Sequence, residues 1–166
     1  MADSTSTTLP ATAPDTAAAP DTALLAHVQQ VWDRNRSKST IYRILLSDTK
    51  LISATHGRII ARLDLEPVHL NSGQSLHGSV SATIVDWAGG LAIASTGLDR
   101  TGVSTDIHVS YVSGARLGET IEIEAWVNKV GRNLGYTMVE IRKVGADGGK
   151  GPVVCTGSHT KFLNTK

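Results

Sequence analysis

Hydrophobic positions follow two different periods along this chain, and the change between them divides it. Over Ala23–Arg36, the residues Leu24, Leu25, Val28, Val31 and Trp32 recur at spacings of three and four, which predicts an amphipathic helix. Leu51–Ala54 and Arg58–Leu65 read as two strands about a His56–Gly57 turn. Ser79–Ser95 (SVSATIVDWAGGLAIAS) is apolar on nearly every side, which predicts a buried helix starting near Gly78 and ending by Gly97. Beyond it the period becomes two. Ile107, Val109 and Tyr111 alternate with His108 and Ser110, and Ile121, Ile123, Ala125 and Val127 alternate with Glu122, Glu124, Trp126 and Asn128. Tyr136–Val144 and Pro152–Phe162 complete four strands separated by glycine-bearing turns.

Alternation of this kind means that one sheet face is covered and the other is wetter. The all-apolar helix is the one segment with enough apolar surface to do the covering. The expected class is therefore α+β, an antiparallel sheet curled around one long central helix. The order helix–β–β–helix–β–β–β–β leaves no room for parallel βαβ repeats.

Asp86 interrupts the apolar helix, where an ionisable group is costly unless paired or hydrogen-bonded. Just upstream, Asn71–Gly78 (NSGQSLHG) brings an amide, a histidine and two glycines to the point where the chain enters that helix. Asp86 reads either as a site carboxylate or as a structural Asp satisfied by a nearby hydroxyl or N–H. Asp86→Asn is expected to stabilise the fold, because it removes a buried charge.

Composition narrows the partners. A chain of 166 residues with a net charge of +1 offers one domain and no field favouring nucleic acid or a membrane surface. Its lone cysteine, Cys155, excludes an intramolecular disulfide framework, suits a reducing compartment and reads as a small buried residue. Residues 1–22 are rich in Ala, Thr, Pro, Ser and Asp, which predicts a disordered tail preceding a domain over 23–166. The tail lacks both the basic residues of a presequence and the apolar run of a secretory signal, so a soluble, cytoplasmic protein is expected, with a mitochondrial or peroxisomal one as the alternative. The longest apolar run, Ala88–Ala94, is too short to span a bilayer. No metal or cofactor is expected.

Three stretches carry a resemblance. LNSGQSLHGSVSATIVDWAGG (Leu70–Gly90), GVSTDIHVSYVSGARLGE (Gly102–Glu119) and GSHTKF (Gly157–Phe162) resemble the hotdog-fold acyl-CoA thioesterases of the thioesterase superfamily member 2 and phenylacetate-type branch. The resemblance implies thioester hydrolysis with Asp86 as general base or nucleophile and the Gly78 backbone N–H as oxyanion donor. It also implies Asn71 and His77 around the thioester and Ser104 orienting the water. It further implies coenzyme contacts from Asp106, from Tyr111–Arg116 (Tyr111 and Arg116), and from the Lys129–Leu134 turn through Lys129, Gly131, Arg132 and Asn133. The substrate would be a fatty or aromatic acyl-CoA, or an acyl-carrier-protein thioester. The enzyme would be a homodimer or homotetramer in which Asp86 works with the partner's Asn71, His77 and Gly78.

Plainer readings stand beside these roles. Asn71 suits a loop Asx turn, His77 a turn, and Ser104 a hydroxyl bonding a backbone group. Asp106, two residues on, is expected on the same strand face as Ser104, as a substrate contact or a solvated charge. The KVGRNL turn also reads as an ordinary charged hairpin. Three positions depart from the family pattern: Ser79 replaces a second glycine, Gly114 a proline and Phe162 a histidine. A hotdog hydratase or dehydratase, which joins a strand histidine to a helical carboxylate, and a non-catalytic acyl-binding protein are the alternatives.

Overall fold

The computed structural model describes residues 21–163. Most of the expected tail, residues 1–20, lies outside them. Asp21 and Thr22, assigned to the tail, instead open the first helix. Asp21 Oδ1 accepts from the N–H groups of Ala23 and Leu24 at 3.0 Å each, capping α1 (Thr22–Lys38). Val28, Val31 and Trp32 form its buried stripe. Ser39 then turns extended and caps a second helix, α2 (Thr40–Leu45), by accepting from Tyr42 N–H. The periodicity did not predict α2, because six residues with β-branched Thr40, Ile41 and Ile44 give too little pattern to read.

The strands are β1 (Lys50–Thr55), β2 (Arg58–Asp64), β3 (Val103–Tyr111), β4 (Thr120–Val130), β5 (Leu134–Val144) and β6 (Lys150–Phe162). Between β2 and β3 runs the long helix α3 (Gly78–Ala94). All pairings are antiparallel, and the sheet order is β1-β2-β4-β5-β6-β3. The four C-terminal strands are therefore not all neighbours in chain order. β3 crosses to the far edge and pairs with β6 rather than β4.

The register lines up the apolar face in rows. Ile59, Ala125, Val139, Gly157 and Val109 form one row across β2, β4, β5, β6 and β3. α3 lies against this face with Ile84, Val85, Ala88 and Leu91 buried. A Cβ on Gly89 would stand 2.6 Å from Thr137 Oγ1 and 2.9 Å from His159 Nδ1, so glycine is what lets the helix sit this close to the sheet. The outer face carries ion pairs, Arg62–Glu122 at 2.7 Å and Lys150–Glu124 at 3.1 Å. Cys155 is buried on the inner face, and burial pushes its thiol up to about 11, as befits a packing residue. No helix among the described residues is long and apolar enough to cross a membrane.

α3 is not buried all round, contrary to its composition. Gly78, Ser79, Ala82, Thr83 and Asp86 are partly or fully exposed, and their spacing traces one stripe along the helix. The other stripes face the sheet and α1. Asp86 thus lies on the open edge of α3 rather than in the core. The edge strand β3 beside it is exposed over almost its full length.

Candidate active site

Two clusters occupy the two ends of the open stripe. At one end, the Asp86 carboxylate gathers four side chains from three elements. Tyr42 on α2 donates to Oδ2 at 2.7 Å, and Ser104 on β3 donates to Oδ1 at 2.8 Å. Lys161 on β6 donates to Oδ1 at 3.2 Å, and His159 Nε2 lies 3.5 Å from the same oxygen. Ser104 Oγ is also 3.0 Å from His159 Nε2 and 3.4 Å from Lys161 Nζ. The carboxylate lines a groove of about 450 Å³ with Ser39, Ile41, Tyr42, Ala82, Thr83, Ser104 and Ile107.

The charges in this cluster are set by opposing effects. Burial alone would raise the Asp86 pKa, but the Lys161 charge and the hydrogen bonds from Tyr42, Ser104 and Lys161 outweigh it and hold the carboxyl below its ordinary value. Burial lowers Lys161, against the opposing pull of Asp86. Burial, reinforced by the Lys161 charge, brings His159 down to about 4, so its imidazole is neutral at physiological pH. Asp86 is consequently an ionised, hydrogen-bonded carboxylate open to the groove.

At the other end, Gly78 is the first residue of α3. Its N–H has no intrahelical carbonyl to bond, because the first N–H groups of any helix lack one. It lines a pocket of about 230 Å³ with Asn71, Ser75, Leu76, Ser81, Tyr111 and Gly114. Tyr111 O–H donates to the Gly78 carbonyl at 3.1 Å, and a Cβ on Gly78 would stand 3.3 Å from the Tyr111 ring. His77 is the N-cap, its Nδ1 accepting from Ser79 N–H at 3.1 Å, which leaves the ring proton on Nε2. Ser79 Oγ also lies 2.8 Å from Nδ1, so the serine that replaces the family's second glycine engages this histidine. Asn71 Oδ1 accepts from Ser75 N–H at 3.2 Å, the Asx-type loop bond. Leu76 N–H donates to Ala115 carbonyl at 2.7 Å, tying the segment after β3 to the pocket wall.

Known proteins of this architecture decide the family. A family model of the thioesterase superfamily matches residues 73–149. Human acyl-coenzyme A thioesterase 13 is 35% identical over 127 residues, 76% of this chain and 88% of that protein. The chain belongs to the thioesterase superfamily. Zebrafish thioesterase superfamily member 2 superposes with a TM-score of 0.73 at 34% identity, over 84% of this chain and 97% of that one. A hypothetical thioesterase protein from Streptococcus pneumoniae, solved with coenzyme A, has the same fold, with a TM-score of 0.67 at 22% identity over 78% and 94% of the two chains. The hotdog architecture and thioester hydrolysis are thereby established for this thioesterase.

Against that frame, the residues expected from the sequence divide. Asp86 and Ser104 meet directly, and Asn71, Gly78 and Tyr111 share a pocket. Asp106 is not on the face of Ser104. The register advances from Ser104↔Lys161 to Asp106↔Thr160, so Thr105 is an extra residue and Asp106 pairs on the opposite, outer face. Ile107 opposite His159 resumes the inner face. Arg116 donates its backbone N–H to Glu119 Oε2 at 2.6 Å in an exposed turn. Lys129 lines a separate hollow with His56, Thr96 and Val127, while Gly131, Arg132 and Asn133 form the β4–β5 turn. Asn133 carbonyl accepts from Leu163 N–H at 2.8 Å.

Three members of the Asp86 cluster were not singled out as site residues. Tyr42 sits on the unpredicted α2. His159 and Lys161 fall in the inward phase of β6, two residues apart, where polar side chains break the apolar alternation. That break was the available signal.

Proposed function

We propose that this thioesterase hydrolyses acyl-CoA thioesters, with Asp86 as general base and the Gly78 N–H as oxyanion donor. Water, oriented by Ser104, attacks the thioester carbonyl carbon and gives its proton to Asp86. The oxygen of the tetrahedral intermediate takes its negative charge beside the Gly78 N–H, at the positive end of the α3 dipole. Collapse of the intermediate breaks the C–S bond, and the proton held by Asp86 passes to the departing thiolate. The products are a free acid and the coenzyme thiol. Asn71, whose amide oxygen is engaged in the loop, would use its NH₂ group on the thioester. Coenzyme A as the leaving group is supported by the relative's name and by the coenzyme in the streptococcal structure. We assign the contacts with its phosphates to the β4–β5 turn, with Lys129, Gly131, Arg132 and Asn133.

One observation carries the reading: Gly78 and Asp86 lie on the same exposed stripe of α3, eight residues apart. At 1.5 Å per residue they are separated by about 12 Å along the axis. One carbonyl needs both groups within about 3 Å of its reacting atoms, so a single helix serves no thioester alone. A two-fold axis passing near Ala82 would exchange the two ends, setting Asp86 of each chain against Gly78 of the other. The exposed Val103, Ile107 and Tyr111 of edge strand β3, with Val112 just after it, supply the apolar surface for such a pairing. The minimum assembly is then a homodimer, and two of these would make a tetramer.

The His159–Asp86 pair has the composition of a hydratase dyad, but His159 is 1% exposed and lies behind Ser104, out of reach of a substrate. The test is a panel of acyl-CoAs of varied length and aromaticity scored by thiol release. Release of thiol at micromolar substrate is expected. Hydration of enoyl-CoA without thiol release would overturn the reading.

A further inference from the structure

The two oxygens of Asp86 are held differently. Oδ1 accepts from Ser104 and Lys161 with His159 beside it, whereas Oδ2 accepts the Tyr42 hydroxyl. Each carboxylate oxygen has two acceptor directions, so Oδ2 is the atom with one direction left to take a proton from water.

Tyr42 is itself firmly placed. Its ring packs 5.7 Å from that of Trp32, which is fully buried and meets Trp87 edge-on at 5.2 Å. α2 is tied at both ends. Ser39 Oγ accepts from Tyr42 N–H, and the Leu45 carbonyl accepts from Nε2 of buried His69 at 2.9 Å. His69 Nδ1 in turn accepts from Glu66 N–H at 2.9 Å, which leaves the proton on Nε2 for that bond. Burial and the adjacent carboxylate raise the phenol well above its ordinary range, so the hydroxyl remains a donor.

We propose that Tyr42 is a positioning residue for hydrolysis, its hydroxyl fixing the Asp86 carboxylate so that the second acceptor direction of Oδ2 addresses water in the groove between α2 and β3. The proposal rests on Asp86 as base. An aspartate χ2 torsion is intrinsically broad, and a carboxylate held through Oδ1 alone would spend much of its time misaligned. The groups facing Asp86 are Tyr42 from α2, Ser104 from β3, and His159 and Lys161 from β6. Asp106 on the outer face of β3 acts on His159 through its charge. Of these, Tyr42 alone holds Oδ2. The N-terminal helices therefore belong to the catalytic apparatus.

The test compares Tyr42→Phe, Asp86→Asn and the double variant in the full-length protein, reading kcat, KM, melting temperature and the pH profile. Phe keeps the ring packing, so the melting temperature should stay close to wild type. The kcat should fall roughly tenfold with KM changed less than about twofold, the usual effect of deleting a hydrogen bond to a charged group. Because the lost bond favours the ionised carboxyl, the acid limb of kcat should move to higher pH. In the Asp86→Asn background the same substitution should cost almost nothing further in kcat, since no base is left to position. Unchanged kcat and acid limb beside a crippled Asp86→Asn enzyme would overturn the Tyr42 role alone. Equal losses in both backgrounds would assign Tyr42 a merely structural role and also overturn it. Near-normal hydrolysis by Asp86→Asn would overturn the base reading and this proposal together.

Discussion

In the proposed mechanism the two ends of the α3 stripe solve opposite problems. At the Asp86 end a charge must be kept ionised and aimed, which takes side chains: a counter-charge from Lys161 and hydroxyls from Tyr42 and Ser104. At the Gly78 end a positive site must be kept open, and the helix supplies it from its backbone. There the side chains mostly satisfy their own loop, with His77 capping and Asn71 closing its turn. One end is dense with contacts and sensitive to each of them. The other depends on what is missing, a Cβ on Gly78 and an acceptor for its N–H.

This contrast ranks the substitutions. Asp86→Asn should lower kcat by roughly 10²–10⁴-fold, the usual worth of a positioned base, with KM little changed. The sequence alone suggested a stabilising effect, but Lys161 is 4% exposed and paired with Asp86, so its charge would be stranded. Asp86→Asn should therefore cost roughly 1–3 kcal/mol, read by denaturant titration. Gly78→Pro attacks the other end through the backbone. His77 has φ −68° and ψ 134°, which suits a residue before proline, and the first helical position accepts proline. The N–H disappears while the helix start survives, once the Tyr111 ring yields by a few tenths of an ångström. A loss of roughly 10²–10³ in kcat is expected.

How much of this was legible in sequence depends on what each residue's neighbours are. Asp86 stood out because a carboxylate in an apolar helix is a local contradiction, whereas Gly78 and Asn71 took their roles from the family resemblance of the NSGQSLHG stretch. The α3–sheet arrangement followed from an all-apolar helix facing strands of period two. Tyr42 was hidden because a six-residue helix has no readable period, and its role exists only through packing on Trp32. Asp106 was misassigned because a bulge at Thr105 reverses the strand faces, and one extra residue leaves no mark in composition. Lys161 was not singled out, because the register of β6 that turns it inward is not written in the local sequence.

Smaller effects refine the contrast. Ser104→Ala should cost roughly tenfold to a hundredfold, since water loses its orienting hydroxyl and Asp86 keeps two other partners. Tyr111→Phe, which removes one bond to the Gly78 carbonyl, should cost less than about threefold.

Stability should also report the Asp86 end as pH falls. His159 is held at about 4 in the fold against 6.5 unfolded, so between those values the unfolded chain binds a proton that the folded one does not. Stability therefore declines as pH falls from about 6.5 to about 4, by on the order of 2–3 kcal/mol. His159→Gln should flatten that slope in melting curves. The depressed Asp86 carboxyl adds a further loss only below the ordinary carboxylate range, as pH drops through its folded value.

The central claim is that the carboxylate and the oxyanion donor meet across two chains. Mixing inactive Asp86→Asn and Gly78→Pro proteins under subunit exchange tests it most directly. Random pairing makes half of the dimers hybrid, each with one intact site, so about a quarter of wild-type turnover should return. Thiol release that stays at the level of the separate variants, although exchange is verified by mass spectrometry, would mean that each chain works alone and would contradict the account.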